Sequence, residues 1–123
     1  MAYSEYLADR VRSSFRENRT GFEEKKMFGG LYFFVDEKLC AGVTKEELLV
    51  RIAPEDEFRY LQDENCREMD ETNHSMKGFL MISPEGVDME DDLDKWIKRC
   101  LATEVFRLFR RPRLLMKQDG TFL

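Results

Sequence analysis

Few residues in this 123-residue chain are equipped for chemistry. It has one histidine, His74, and three cysteines, Cys40, Cys66 and Cys100. Cys66 and His74 share a polar stretch, and a loop that folded them together would pair a nucleophile with a base. Nothing around His74 orients its imidazole, so an exposed loop histidine and an ordinary thiol are expected instead. Metal binding needs several ligands converging at fixed spacing; one histidine and scattered cysteines predict no metal site. Carboxylates are abundant, but Glu90-Asp91-Asp92 suits the positive end of a helix better than an acid–base pair. The expectation is a protein without catalysis and without a cofactor.

Anion binding has three candidate locations. Gly29-Gly30 offers backbone N–H groups, yet neither a GxxxxGK[ST] nor a GxGxxG pattern surrounds it, and a strand follows where a phosphate loop would open a helix. Arg51 and Lys77 are basic residues set into otherwise apolar strands. They are expected to face solvent or pair with acids, with an anion contact as the alternative. Arg107, Arg110, Arg111, Arg113 and Lys117 form a basic end suited to nucleic acid or an acidic partner, since mobile basic segments bind phosphate without reading sequence. Phe106, Phe109, Leu114 and Leu115 interleave with those charges, so docking on a partner subunit is an equal alternative.

The elements that would position these residues follow from periodicity. Ser4 can cap a helix over residues 4–16, where Leu7, Val11 and Phe15 recur along one stripe. Arg10, Arg12 and Arg16 lie mostly off that stripe as a solvated basic face, and Gly21 supplies the positive φ that closes the helix. Phe22 to Met27 is a candidate first strand. Leu31–Val35, Lys38–Val43 and Leu48–Ile52 are strands joined by the short polar turns Asp36-Glu37 and Thr44–Glu47, which forces an antiparallel meander. Pro54 starts a short helix with Phe58, Leu61 and Tyr60 facing inward, ending near Gln62. Arg67–Met69 is a candidate edge strand and Met76–Ile82 a buried one.

The last helix is capped by Asp88 and carries Leu93, Trp96, Ile97, Cys100, Leu101, Val105 and Leu108 along one stripe. Lys98, Arg99 and Arg107 fall toward its negative end, which the dipole favours. The class is therefore α+β: an antiparallel sheet of about five strands with flanking helices, in the order α-β-β-β-α-β-β-α. Residues 1–110 form the domain, and residues 111–123 a basic, mobile C-terminal tail.

Composition agrees with one globular domain: 42% of residues are hydrophobic and 37% charged, which argues against disorder. The net charge of −5 is unevenly spread, with +1 over residues 1–35, −12 over 36–94 and +6 over 95–123. No window approaches the ~18 apolar residues of a membrane span. Residues Met1–Leu7 lack the basic start and apolar run of a secretory signal. An odd, widely spaced set of cysteines points to reduced thiols in the cytoplasm.

Met27-Phe28-Gly29-Gly30, Phe33-Phe34-Val35, Ala41-Gly42-Val43, Leu49-Val50-Arg51, Met76-Lys77-Gly78-Phe79, Leu93 and Trp96-Ile97 stand in the order of the TfoX (Sxy) N-terminal domain family, which the chain resembles over about residues 5–108. The resemblance implies a short, bacterial, stand-alone member with a secretion-chaperone-like α+β fold that dimerises. It also implies a link to transcriptional regulation, since the namesake proteins promote competence together with the cyclic-AMP receptor protein. Those proteins carry a second, helical domain for which this chain is too short. No catalytic residues carry over. The expected function is a regulatory or protein-interaction domain, acting as a homodimer with a transcription-regulatory partner. The alternatives are a nucleic-acid accessory module using the basic end, or a small-molecule or anion-binding domain with Arg51 and Lys77 near the sheet. On the expected reading, Gly29-Gly30 bends the first strand or lets the Met76–Gly78 strand or a dimer mate approach.

Overall fold

The computed structural model describes residues 3–71 and 74–103, with the backbone alone for residues 70–71 and 74–77. Helix α1 spans Glu5–Glu17, and the Ser4 hydroxyl accepts the Leu7 N–H at 3.1 Å, as its cap position predicts. Leu7, Val11 and Phe15 are buried along the expected stripe. The helix closes differently from expectation. Arg19, not Gly21, takes the left-handed conformation (φ 56°), with Thr20 N–H donating to Phe15 O and Arg19 N–H to Arg16 O. That closure needs its left-handed residue directly after the cap, two positions before the glycine.

Four strands follow: β1 (Glu23–Met27), β2 (Gly30–Val35), β3 (Lys38–Thr44) and β4 (Glu47–Arg51). Phe28 and Gly29 both have positive φ, 51° and 76°, and Met27 pairs with Gly30. They form a two-residue hairpin turn that twists with its strands. Asp36 and Glu37 make the next turn in the same way, with φ of 52° and 68°. Lys45, φ 54°, begins the third. A bulge between Phe33 and Phe34 leaves Cys40 as an extra residue on β3. Cys40 and Ala41 therefore both enter the core, while Leu39 turns to the opposite face.

After β4 the chain makes a 3₁₀ turn (Pro54–Asp56) and the one-turn helix α2 (Glu57–Tyr60). Strands β5 (Cys66–Glu71) and β6 (His74–Ile82) precede a second 3₁₀ turn (Pro84–Val87) and helix α3 (Glu90–Leu101). The sheet has six antiparallel strands in the order β1-β2-β3-β4-β6-β5. Four strands precede α2, one more than expected. The additional strand is β1, which falls on the Phe22–Met27 candidate that the count of five left out; its Glu-Glu-Lys-Lys-Met sequence has no apolar alternation and lies at the sheet edge. Within β6, Gly78 is buried with φ +85°, a conformation that a side chain would strain.

Three further expectations are corrected. Phe58 is 79% exposed, because the 3₁₀ turn ahead of α2 shifts its phase and directs Tyr60 and Leu61 to the core. Asp88 does not cap α3; it ends the preceding 3₁₀ turn in helical conformation, so the non-helical cap position falls on Met89. Helix α3 stops at Leu101, with the Ala102 N–H donating to Lys98 and Arg99 carbonyls. Val105 and Leu108 lie outside the described residues.

Helices α1, α2 and α3 pack on one face of the sheet. Leu93, Trp96, Ile97, Cys100 and Leu101 are buried there with Phe15, Phe33, Leu48 and Leu80. Burying the α3 stripe stabilises by on the order of 10 kcal/mol before chain entropy is set against it. Asp94 locks α3 to α1 by accepting from Ser14 Oγ (2.8 Å) and Asn18 Nδ2 (3.0 Å), and it pairs with Lys98. Burial pulls the Asp94 carboxyl up, but the hydrogen bonds from Ser14, Lys98 and Asn18 outweigh it and hold the group below its ordinary value. Arg10 adds a second tie, from its Nε to Glu90 Oε1 at 2.6 Å.

Candidate functional site

The motif residues Phe28, Gly29, Gly30 and Gly78 occupy turn and close-packing positions. Phe28 and Gly29 are the β1–β2 turn, with Phe28 90% exposed at its tip. Gly30 and Gly42 form the floor on which the Tyr32 ring rests. A Cβ at Gly30 would stand 2.9 Å from Tyr32 Oη, and one at Gly42 only 2.6 Å from Tyr32 Cδ1. Strands β3 and β4 separate β2 from β6, so Gly29-Gly30 does not meet the Met76–Gly78 segment. The close approach predicted there is made by Tyr32 instead. Gly78 meets the Ile52 carbonyl, whose residue's N–H donates to Gly78 O at 2.8 Å.

The candidate chemical residues are not brought together. Cys66 pairs with Ile82 at one end of the β5–β6 ladder and Glu71 with His74 at the other. At ~3.3 Å per residue the eight steps from His74 to Ile82 span roughly 25 Å, too far for a nucleophile–base pair. Cys66 is buried, and its thiol is pushed up to about 11, first by burial and then by Asp63, with Arg99 acting in the opposite direction. Cys40 and Cys100 face each other inside the core with their sulfurs 2.9 Å apart, and none of the three cysteines is in a disulfide. Among the described residues, no group of three or more His, Cys, Asp or Glu side chains is placed to hold a metal ion.

Arg51 lies on the face of the sheet opposite the helices. Its Nε donates to Leu39 O at 2.6 Å, and its guanidinium sits 4.8 Å from the centre of the Phe79 ring. Lys77 lies on β6, and its side chain is outside the described residues. Arg107, Arg110, Arg111, Arg113 and Lys117 are outside them as well.

The basic group that the fold does assemble is a different one. Arg59, Tyr60, Asp63, Trp96 and Arg99 line a cavity of about 460 Å³ between α2 and α3. Tyr60 and Trp96 meet edge to face at 5.4 Å and 74°. The Arg99 guanidinium lies in their notch, 4.4 Å from the Tyr60 ring centre and 4.5 Å from that of Trp96. Arg59 lies 5.0 Å from the Tyr60 ring centre, bonded to its hydroxyl (3.2 Å) and to Asp56 (3.1 Å). Sequence reasoning placed Trp96 in the core and Arg99 at the negative end of α3. The i, i+3 spacing of Trp96 and Arg99 was the available signal that they share a face; the Tyr60 contribution is non-local.

A six-stranded antiparallel sheet with helices on one face and an arginine–aromatic cavity between two of them defines an open-faced α+β domain. The model of the TfoX N-terminal domain matches residues 15–103, and the chain belongs to that family. The resemblance carried by the two glycine motifs and Trp96 is thereby established. Neither a curated protein nor a solved structure shows significant similarity to the chain.

Proposed function

We propose that this chain is a non-catalytic regulatory or protein-interaction domain that works as a homodimer in the cytoplasm and engages a transcription-regulatory protein. The observation that carries this reading is the match to the TfoX N-terminal domain over residues 15–103, which supports a TfoX-like regulatory or interaction role in general. Among the described residues no helix is long and apolar enough to cross a membrane. Sedimentation of the full chain at high micromolar concentration should give a dimer; a strict monomer would overturn that part. Affinity capture from the chain's own cells should recover a transcription component, and recovery of none would overturn the partner.

A second reading, a nucleic-acid accessory module, is favoured by the +6 balance of residues 95–123. It requires binding to duplex or single strands that falls steeply with salt and disappears when residues 110–123 are removed. No binding at low salt would dismiss it.

A further inference from the structure

Arg99 is the unusual member of the cavity between α2 and α3. It is half-buried, and both flanking rings approach its guanidinium, so part of that cation's hydration is replaced by aromatic carbon. Such contacts satisfy the faces of a guanidinium and leave its N–H edge, the fork that matches a carboxylate, in need of acceptors. Among the described residues, the Arg99 side chain has no hydrogen bond and no ion pair. Asp63, which lines the same cavity, directs Oδ1 to the Asn65 N–H at 2.8 Å and makes no ion pair with Arg99, and Asp56 pairs with Arg59.

We propose that this cavity is a carboxylate-binding pocket, in which the edge of Arg99 holds the two oxygens and the Tyr60 hydroxyl, backed by Arg59, donates a further hydrogen bond. The lining selects carboxylate over phosphate. Arg59 is already neutralised by Asp56, and Asp63 on the rim repels a doubly charged phosphate about twice as strongly as a singly charged carboxylate. This goes beyond the regulatory reading and does not depend on it, because the ligand can be a free small acid or a glutamate or aspartate side chain of a protein.

Trp96 is the single tryptophan of the chain and lies directly beneath Arg99, so its fluorescence reports occupancy. The full chain is titrated at constant ionic strength with acetate, with a capped tripeptide bearing a central glutamate, and with inorganic phosphate, chloride serving as the control. A saturable change in emission with acetate or the peptide is expected. It should be weakened roughly tenfold or more in Arg99→Met, which keeps bulk over Trp96 but has no donors, and partly restored in Arg99→Lys. Peptide binding roughly tenfold tighter than acetate assigns the ligand to a protein side chain; equal or tighter acetate binding assigns it to a free acid. No saturable change, equal binding by Arg99→Met, or phosphate bound as tightly as carboxylate would each overturn the proposal. Should Arg99→Met not fold, ¹⁵N spectra of the unaltered chain decide: the Trp96 indole and Arg99 Nε resonances must move on titration.

Discussion

On one face of the sheet, α1 and α3 leave Phe15, Phe33, Leu48, Leu80 and Ile97 with no solvent contact. On the other, where no helix packs among the described residues, the apolar cluster is smaller: Leu49, Phe79 and Met81, edged by Tyr32, Leu39 and Met69. Its cover includes charged side chains laid over aromatic rings. Arg51 lies over Phe79, Lys25 lies 4.6 Å from the Phe34 ring centre, and Arg67 pairs with Glu47 beside them. The helix-covered face gains stability from area removed from water, whereas the opposite face combines modest burial with cation–π contact. Stability should therefore be concentrated on the first face.

The sharpest test of that asymmetry is truncation at matched positions. Phe33→Ala, which breaks ring contacts with Phe15 and Phe22, should cost about 3–5 kcal/mol by chemical denaturation, and Phe79→Ala distinctly less. Equal losses would break the comparison. Next comes Gly42→Ala, whose Cβ would collide with the Tyr32 ring on the second face and should destabilise by about 1–3 kcal/mol. Much of that loss should vanish in a Tyr32→Ala background; an additive pair would show that the ring is not the obstacle.

The polar seam of the helix side should show itself through pH. The folded-state pKa of Asp94 lies below the ordinary 3.8, so its contribution is present above that value and is lost as pH falls through the lower folded value. Asp94→Asn should be less stable than the parent near neutrality by under about 1 kcal/mol, given its partial exposure. Melting temperatures of the two should converge under strongly acidic conditions. Smallest of all, Lys25→Ala should remove about 0.5 kcal/mol from the second face; a loss above that range would mean the cation–π cover carries more of the fold than burial there.

Much of this architecture is legible along the chain because it depends on neighbours in sequence. The α1 stripe, the Asp36-Glu37 turn and the apolar strands all follow from spacing and turn chemistry. β1 was legible only as a candidate, and was left out of the strand count, because its partners, not its own side chains, make it a strand: Lys25 finds Phe34, and Glu24 finds Arg12. Phe58 and Asp88 were misplaced for a shared reason, since a 3₁₀ turn ahead of each helix changes the phase at which its first residues face inward.

The sequence by itself determined the α+β class, the hairpin meander, the buried faces of α1 and α3 and, through its paired glycine motifs, membership of the TfoX N-terminal domain family. Tertiary structure alone decided which strand lies beside which, inserting β6 between β4 and β5, while the β5–β6 register put Cys66 and His74 at opposite ends of their ladder. It also decided that Gly30 and Gly42 serve one tyrosine ring, and that Arg99 stands between Trp96 and a tyrosine from α2. The physical reason is range. Caps, turns and periodicity are set within a few residues, whereas a cavity is made by side chains that meet only after distant elements have buried their apolar faces against a common sheet.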